Sequence, residues 1–149
     1  MTSPLRPFQR SLPMALMRAR EAVMREFRPR LAADELTEQQ WRVLRALSAF
    51  DQPLTTRELS EMTFLLSPSL SRITANLSER DLLHRSPHPT DQRSTLLSLT
   101  DAGKTLVAKV AIGSEEGYAA IETAFGIERL ELLHELLDDL AAAQSVREP

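Results

Sequence analysis

Small and polar residues crowd into one short stretch, at Ser67, Pro68, Ser69, Ser71, Arg72 and Asn76, and a second polar run downstream closes on Asp91-Gln92-Arg93. Short hydroxyls and a guanidinium are the groups that reach base edges when a helix enters the major groove of DNA. Ser67, Ser69, Ser71 and Arg72 are placed for that role. For Arg72 the choice is between a bidentate pair with guanine and a plain phosphate link. Arg93, at a loop tip, suits a narrow and electronegative minor groove, and Asp91 is spaced to hold its guanidinium; the alternative is a solvated loop arginine. His84 and His88, near Asp91, raise a different chemistry, metal binding or acid/base catalysis. They fall on a strand and a loop rather than four apart on a helix, and no glycine-rich phosphate loop or Ser/His/Asp order accompanies them. No catalytic residue, metal or other cofactor is expected. The absence of cysteine excludes disulfides, thiolate metal sites and a thiol switch.

These residues need elements to present them. Ser67 is expected to cap a helix with Pro68 at its first position, and Leu70, Ile73 and Leu77 form one apolar face opposite the polar one. Leu82 to Ser86 and Ser94 to Leu99 read as two short strands around the proline-bearing loop that carries Arg93. Upstream, Thr55 and Glu58 form a capping box for a short helix to Met62, with Leu59 and Met62 as core contacts, so that the two helices make a helix-turn-helix pair. A helix-turn-helix followed at once by a hairpin is the plan of a winged helix.

The flanks are helical as well. Met1 to Pro13, with prolines at 4, 7 and 13, is predicted to be an extended arm, and a helix begins at Met14 that Pro29 should kink or end. Thr37 and Gln40 box the start of the next helix, whose buried stripe is Trp41, Leu44, Leu47 and Ser48. Thr100 caps a long helix weakened at Gly113 and Gly117, and a last helix from about Glu128 carries Leu130, Leu133, Leu136, Leu137 and Leu140. The terminal helices cannot bury these stripes against a small winged-helix domain, so a homodimer is predicted. The expected class is mainly α with a small β-hairpin wing: residues 1–35 as arm and dimerisation helix, 36–100 as winged helix-turn-helix, and 101–149 as C-terminal dimerisation helices.

Composition agrees with a globular protein: 149 residues, 42% hydrophobic and 26% charged, with no apolar run long enough to span a membrane and no signal-peptide pattern, which implies a cytoplasmic chain. The net charge of -3 argues against a nucleic-acid partner only at first sight. Residues 1–30 hold seven arginines against two glutamates, whereas residues 101–149 hold four basic against ten acidic side chains. Phosphate contacts are local, so an acidic tail does not forbid them.

The order of elements, the run Leu36-Thr37-Glu38-Gln39-Gln40-Trp41-Arg42-Val43-Leu44, the Asp-x-Arg of Asp91-Gln92-Arg93 and the Leu99-Thr100-Asp101-Ala102-Gly103 exit together resemble the MarR family of multiple antibiotic resistance regulators. Ala19-Arg20-Glu21-Ala22-Val23-Met24 and Phe27-Arg28-Pro29 resemble the branch that regulates homoprotocatechuate and hydroxyphenylacetate catabolism. The resemblance implies a dimeric repressor on a palindromic operator, released by a small aromatic acid. Pro68-Ser69-Leu70-Ser71 departs from the commonest family pattern, so the operator sequence does not carry over. An aromatic carboxylate needs a fixed cation and an apolar wall. Arg20 is the first choice for the cation, with Arg18 and Arg28 beside it and Met24 and Trp41 among the walls; the alternative for Arg20 is a pair with Glu21 or with an acidic C-terminal residue. Other readings are a MarR-type regulator with an unrelated effector or a sensed metal, and a winged-helix module used only for protein contacts.

Overall fold

In the computed structural model, which describes residues 5–145, a 3-10 turn at Phe8–Arg10 leads into α1 (Leu12–Ala33), α2 (Glu38–Ser48), β1 (Leu54–Thr55), α3 (Thr56–Thr63) and α4 (Ser67–Glu79). The hairpin β2 (Leu83–Pro87) and β3 (Thr95–Leu99) follows, then α5 (Asp101–Phe125) and α6 (Ile127–Ser145). The chain divides into two compact units, 1–113 and 114–149, with the boundary inside α5.

Two of these helices start by the same reciprocal bonding. Thr37 Oγ1 accepts the Gln40 N–H at 3.1 Å while Gln40 Oε1 accepts the Thr37 N–H at 3.0 Å. Thr55 and Glu58 repeat the arrangement at 3.1 and 2.7 Å. Each box satisfies backbone donors that a helix start leaves open. The Thr55 backbone N–H, followed by its hydroxyl, also holds the Glu58 carboxyl below its ordinary range.

α2 packs against α3, α4 and β3, and Val43, Leu44, Leu59, Leu70, Leu77 and Leu97 are essentially inaccessible between them. The sheet is antiparallel in the order β1-β3-β2, with Leu54 opposite Leu97 and Leu83 opposite Leu99. β1 is two residues long, too short for a period-2 pattern to reveal it. Beyond β3, Thr100 Oγ1 accepts the Gly103 N–H at 3.0 Å and donates to the Asp81 carbonyl at 2.6 Å. A Cβ on Gly103 would lie 2.2 Å from the Leu82 carbonyl oxygen, so only glycine lets α5 start this close to the end of α4.

Several expectations require correction. Phe8–Arg10 turns and α1 begins at Leu12 with Pro13 in its first turn, where a proline's missing donor costs nothing, so this part of the arm is not extended; residues 1–4 lie outside the described residues. Pro29 does not end α1, which continues to Ala33. Ser67 does not cap α4: the Leu66 carbonyl accepts the first helical bond, from Leu70 at 2.9 Å, which makes Leu66 the cap residue with Ser67 and Pro68 following it. Ser48 and Met62 are exposed. Ser48 lies off the arc centred on Val43, Leu44 and Leu47, and Thr63 turns inward in place of Met62, donating to the Leu59 carbonyl at 2.6 Å. α5 runs unbroken through Gly113 and Gly117, which is compatible with the local weakening expected at these glycines.

In the second unit, α6 has no buried residue, and Leu132, Leu133, Leu136 and Leu137 are between 37% and 56% exposed.

Candidate functional site

α4 is seated by Leu70, Thr74 and Leu77, which are buried, and it thereby turns Ser67, Pro68, Ser69, Ser71, Arg72 and Asn76 to solvent. The turn before it is stiff. Phe64 takes a left-handed conformation with φ 56°, the Ser60 hydroxyl donates to the Leu65 carbonyl at 2.7 Å, and Arg42 donates to the Thr63 carbonyl at 3.0 Å. At the other end, Arg80 donates to the Glu35 carbonyl at 3.0 Å. Asn76 is exposed, yet its side-chain oxygen already accepts from Gln40 at 2.9 Å, so the amide that boxes α2 also registers α4. Its NH2 group is the part left for an outside acceptor.

The wing puts Arg93 on its exposed tip. Asp91 does order this residue, but through the main chain: its Oδ1 accepts the Arg93 backbone N–H at 3.0 Å, rather than the guanidinium. A carboxylate two residues ahead of an N–H closes a short local turn more readily than it reaches a side chain that points outward. Arg72 and Arg93 have no carboxylate partner among the described residues.

The other predicted arginines are in the opposite condition. Arg20 and Arg28 meet beside the start of α2 and share two carboxylates. Arg28 grips Glu21 through both terminal nitrogens at 2.9 Å each and donates from Nε to Glu38 at 2.9 Å. Arg20 bonds Glu21 at 3.2 Å and also Glu38, which Arg42 approaches at 3.5 Å. Glu38 is 10% exposed. Burial pushes its carboxyl up, and the hydrogen bonds from Arg20 and Arg28 outweigh that and hold it below the ordinary value. The Arg28 fork likewise lowers Glu21, and Glu21 in turn raises Arg28.

Arg20, Glu21, Arg28, Glu38, Ala32 and Leu36 line an open cavity of about 530 Å³. Three cations against two carboxylates leave this cluster one positive charge in excess. Arg18 is elsewhere, donating to the Gln9 carbonyl at 3.3 Å, and Met24 and Trp41 do not line this cavity. A larger cavity of about 770 Å³, with Leu47, Phe50, Leu99, Lys104 and Val107 on its walls, contains none of the predicted effector residues. Glu38 joins the site from outside the predicted residues, although two signals in the sequence point to it: it opens α2, where the helix dipole favours an anion, and Arg42 follows it by four. Among the described residues no three His, Asp or Glu side chains gather as a metal site, and no helix is long and apolar enough to cross a membrane.

A recognition helix with an open polar face, a stiff turn before it and a hairpin with an unpaired arginine after it define a winged helix-turn-helix DNA-binding protein. Residues 35–94 match the model of the MarR family. The chain is 38% identical over 131 residues to the HTH-type transcriptional regulator FarR of Neisseria gonorrhoeae, covering 88% of this chain and 89% of that one. It is 36% identical over 138 residues to the homoprotocatechuate degradative operon repressor of Escherichia coli, covering 93% of each. Among solved structures, NadR in complex with 4-hydroxyphenylacetate superposes with a TM-score of 0.78 at 36% identity, covering 93% of this chain and 98% of that one. The protein belongs to the MarR family of transcriptional regulators.

Proposed function

We propose that this chain is a non-enzymatic, homodimeric repressor of an aromatic-acid catabolic operon, acting in the cytoplasm on a palindromic operator and released by an aromatic carboxylate. The observation that carries the DNA role is that Arg72, on the face of α4, and Arg93, on the wing tip, are both exposed, with guanidinium groups that pair with no carboxylate among the described residues. Two such cations on one module suit a major groove and the neighbouring minor groove. Ser67, Pro68, Ser69, Ser71 and the Asn76 amide complete the helix face. The DNA-reading module is residues 36–100, with the flanking segments as dimerisation elements.

Dimerisation is supported by the open leucine stripe of α6 and by Leu12, Leu16, Met17 and Val23 along α1, each more than a third exposed. A second copy would remove such patches from water and would set two recognition helices one DNA turn apart. The effector reading is supported by the relatives, one named for homoprotocatechuate degradation and one solved with 4-hydroxyphenylacetate. Within the chain it is supported by the excess positive charge at Arg20, Arg28 and Arg42. A carboxylate that seats there competes with Glu21 and Glu38 for the same guanidinium forks, which loosens the tie between α1 and α2. Release then requires that the acid bind the free protein more tightly than the operator-bound one.

The test is a footprint on the DNA upstream of the protein's own gene, followed by titration with 4-hydroxyphenylacetate and with dihydroxyphenyl acids. Protection of two half-sites that one of these acids removes is the expected result. Protection that no acid removes would discard the effector, and no protection at low salt would discard the repressor.

A further inference from the structure

An imidazole holds the wing tip together. His88 is half-buried just beyond the end of β2, and its backbone N–H donates to the Ser94 carbonyl at 3.2 Å. Its ring nitrogen Nδ1 accepts the Asp91 N–H at 3.1 Å and the Thr90 N–H at 3.2 Å, with the Thr90 hydroxyl 3.3 Å away. Two N–H donors aimed at one ring nitrogen need a lone pair there, which places the ring proton on Nε2. The chain of bonds continues from Asp91, whose Oδ1 takes the Arg93 N–H at 3.0 Å and whose carbonyl takes the Ser94 N–H at 3.1 Å.

The sequence explains why a side chain must fill this position. Pro87 and Pro89 flank His88, so the tip has no backbone donor on either side of it and a restricted path at both. Thr90 and Asp91 are left with N–H groups that point into the loop. Nδ1 lies two bonds beyond Cβ, the right reach for an acceptor that closes a turn two or three residues on.

We propose that His88 is a positioning residue for operator binding: its unprotonated Nδ1 takes the place of a backbone carbonyl in folding the wing tip, and through Asp91 it sets the path on which Arg93 approaches DNA. This rests on the reading that Arg93 contacts DNA. A tip without that acceptor would present Arg93 in many directions, and ordering it on binding would weaken the complex by about three- to tenfold.

The residues that can replace His88 discriminate this role from general loop packing. Asparagine carries an oxygen two bonds beyond Cβ and can accept the same N–H groups, whereas glutamine, equally polar and larger, carries its oxygen one bond too far. Dissociation constants on the upstream DNA are to be measured for wild type, His88→Ala, His88→Asn, His88→Gln and Arg93→Ala, and for His88→Ala combined with Arg93→Ala. Thermal melting of each variant monitors the fold.

The expected pattern is weakened binding in His88→Ala and His88→Gln, near-wild-type binding in His88→Asn, and a double variant no weaker than Arg93→Ala alone. Binding in His88→Asn as weak as in His88→Gln would overturn the proposal, as would losses that add in the double variant. If His88→Ala does not fold, the asparagine and glutamine variants decide the matter between them. An Arg93→Ala protein that binds like wild type would instead remove the reading of Arg93 on which the proposal rests.

Discussion

The arginines of this protein fall into two populations. Arg72 and Arg93 extend from a recognition helix and a wing with guanidinium groups that pair with no carboxylate among the described residues, while Arg20 and Arg28, on α1, are bound by Glu21 and Glu38. The side chains are chemically the same, and their surroundings decide their use. An unpaired exposed guanidinium gives up only water when it meets a phosphate or a base. A carboxylate-bound one must first lose its internal partner, so it can serve as a structural tie or as a site where an incoming carboxylate exchanges with a resident one.

That contrast is easiest to break at the DNA face. Removing both free cations, in Arg72→Ala combined with Arg93→Ala, is expected to weaken operator binding about thirtyfold or more, from losses of roughly 1–3 kcal/mol at each position. Titrations at several salt concentrations check it, and the slope of affinity against salt should fall only where a phosphate contact is lost. Of the single variants, Arg72→Ala should relax the preference at one base pair if the arginine reads guanine, and weaken all sequences equally if it holds a phosphate.

Next in size is the frame that presents the free pair. Gly103→Ala forces a Cβ against the Leu82 carbonyl, and overpacking of this kind costs roughly 1–3 kcal/mol, read as a lower denaturant midpoint.

The paired population responds to acid instead. Glu38, Glu21 and Glu58 are all held below their ordinary value of 4.5 in the folded protein. Groups lowered in this way contribute stability above that value and lose it as pH falls through the folded one, so melting should decline in the acid range below it. Glu38→Gln is expected to be less stable near neutrality, by about 1–2 kcal/mol for a half-screened network, and to lose less on acidification than wild type. The smallest effect belongs to Arg57 and Glu61, an i,i+4 pair at 3.0 Å that is exposed on both sides. Arg57→Ala should change stability by no more than about 0.5 kcal/mol.

What could be read from the sequence follows the range of the interactions involved. Thr37 with Gln40, Thr55 with Glu58, and Thr100 with Gly103 are bonds over three residues, and the pattern of side chains displays them directly. The hairpin and the buried face of α4 were legible for the same reason, through periodicity. The cap of α4 was not, because Ser67 has the chemistry of a cap while the backbone at Leu66 supplies the first carbonyl. Nor was β1, which is a strand only because Leu54 and Thr55 find Leu97 and Leu96 some forty residues on. At the candidate site, Arg20 and Arg28 were named as cations, but their partner Glu38 is brought to them by the turn between α1 and α2. The ordering of Arg93 by Asp91 was anticipated with the right residues and the wrong atom.

The most direct measurement is fluorescence anisotropy of the purified protein on its own upstream DNA, comparing wild type, Arg20→Ala, and Arg72→Ala combined with Arg93→Ala, each with and without 4-hydroxyphenylacetate. Tight binding is expected of wild type and, because Arg28 still ties α1 to Glu38, of Arg20→Ala, with release by the acid in wild type but not in Arg20→Ala, and no tight binding in the double variant. Tight binding by the double variant, or no binding by wild type at low salt, would contradict this account.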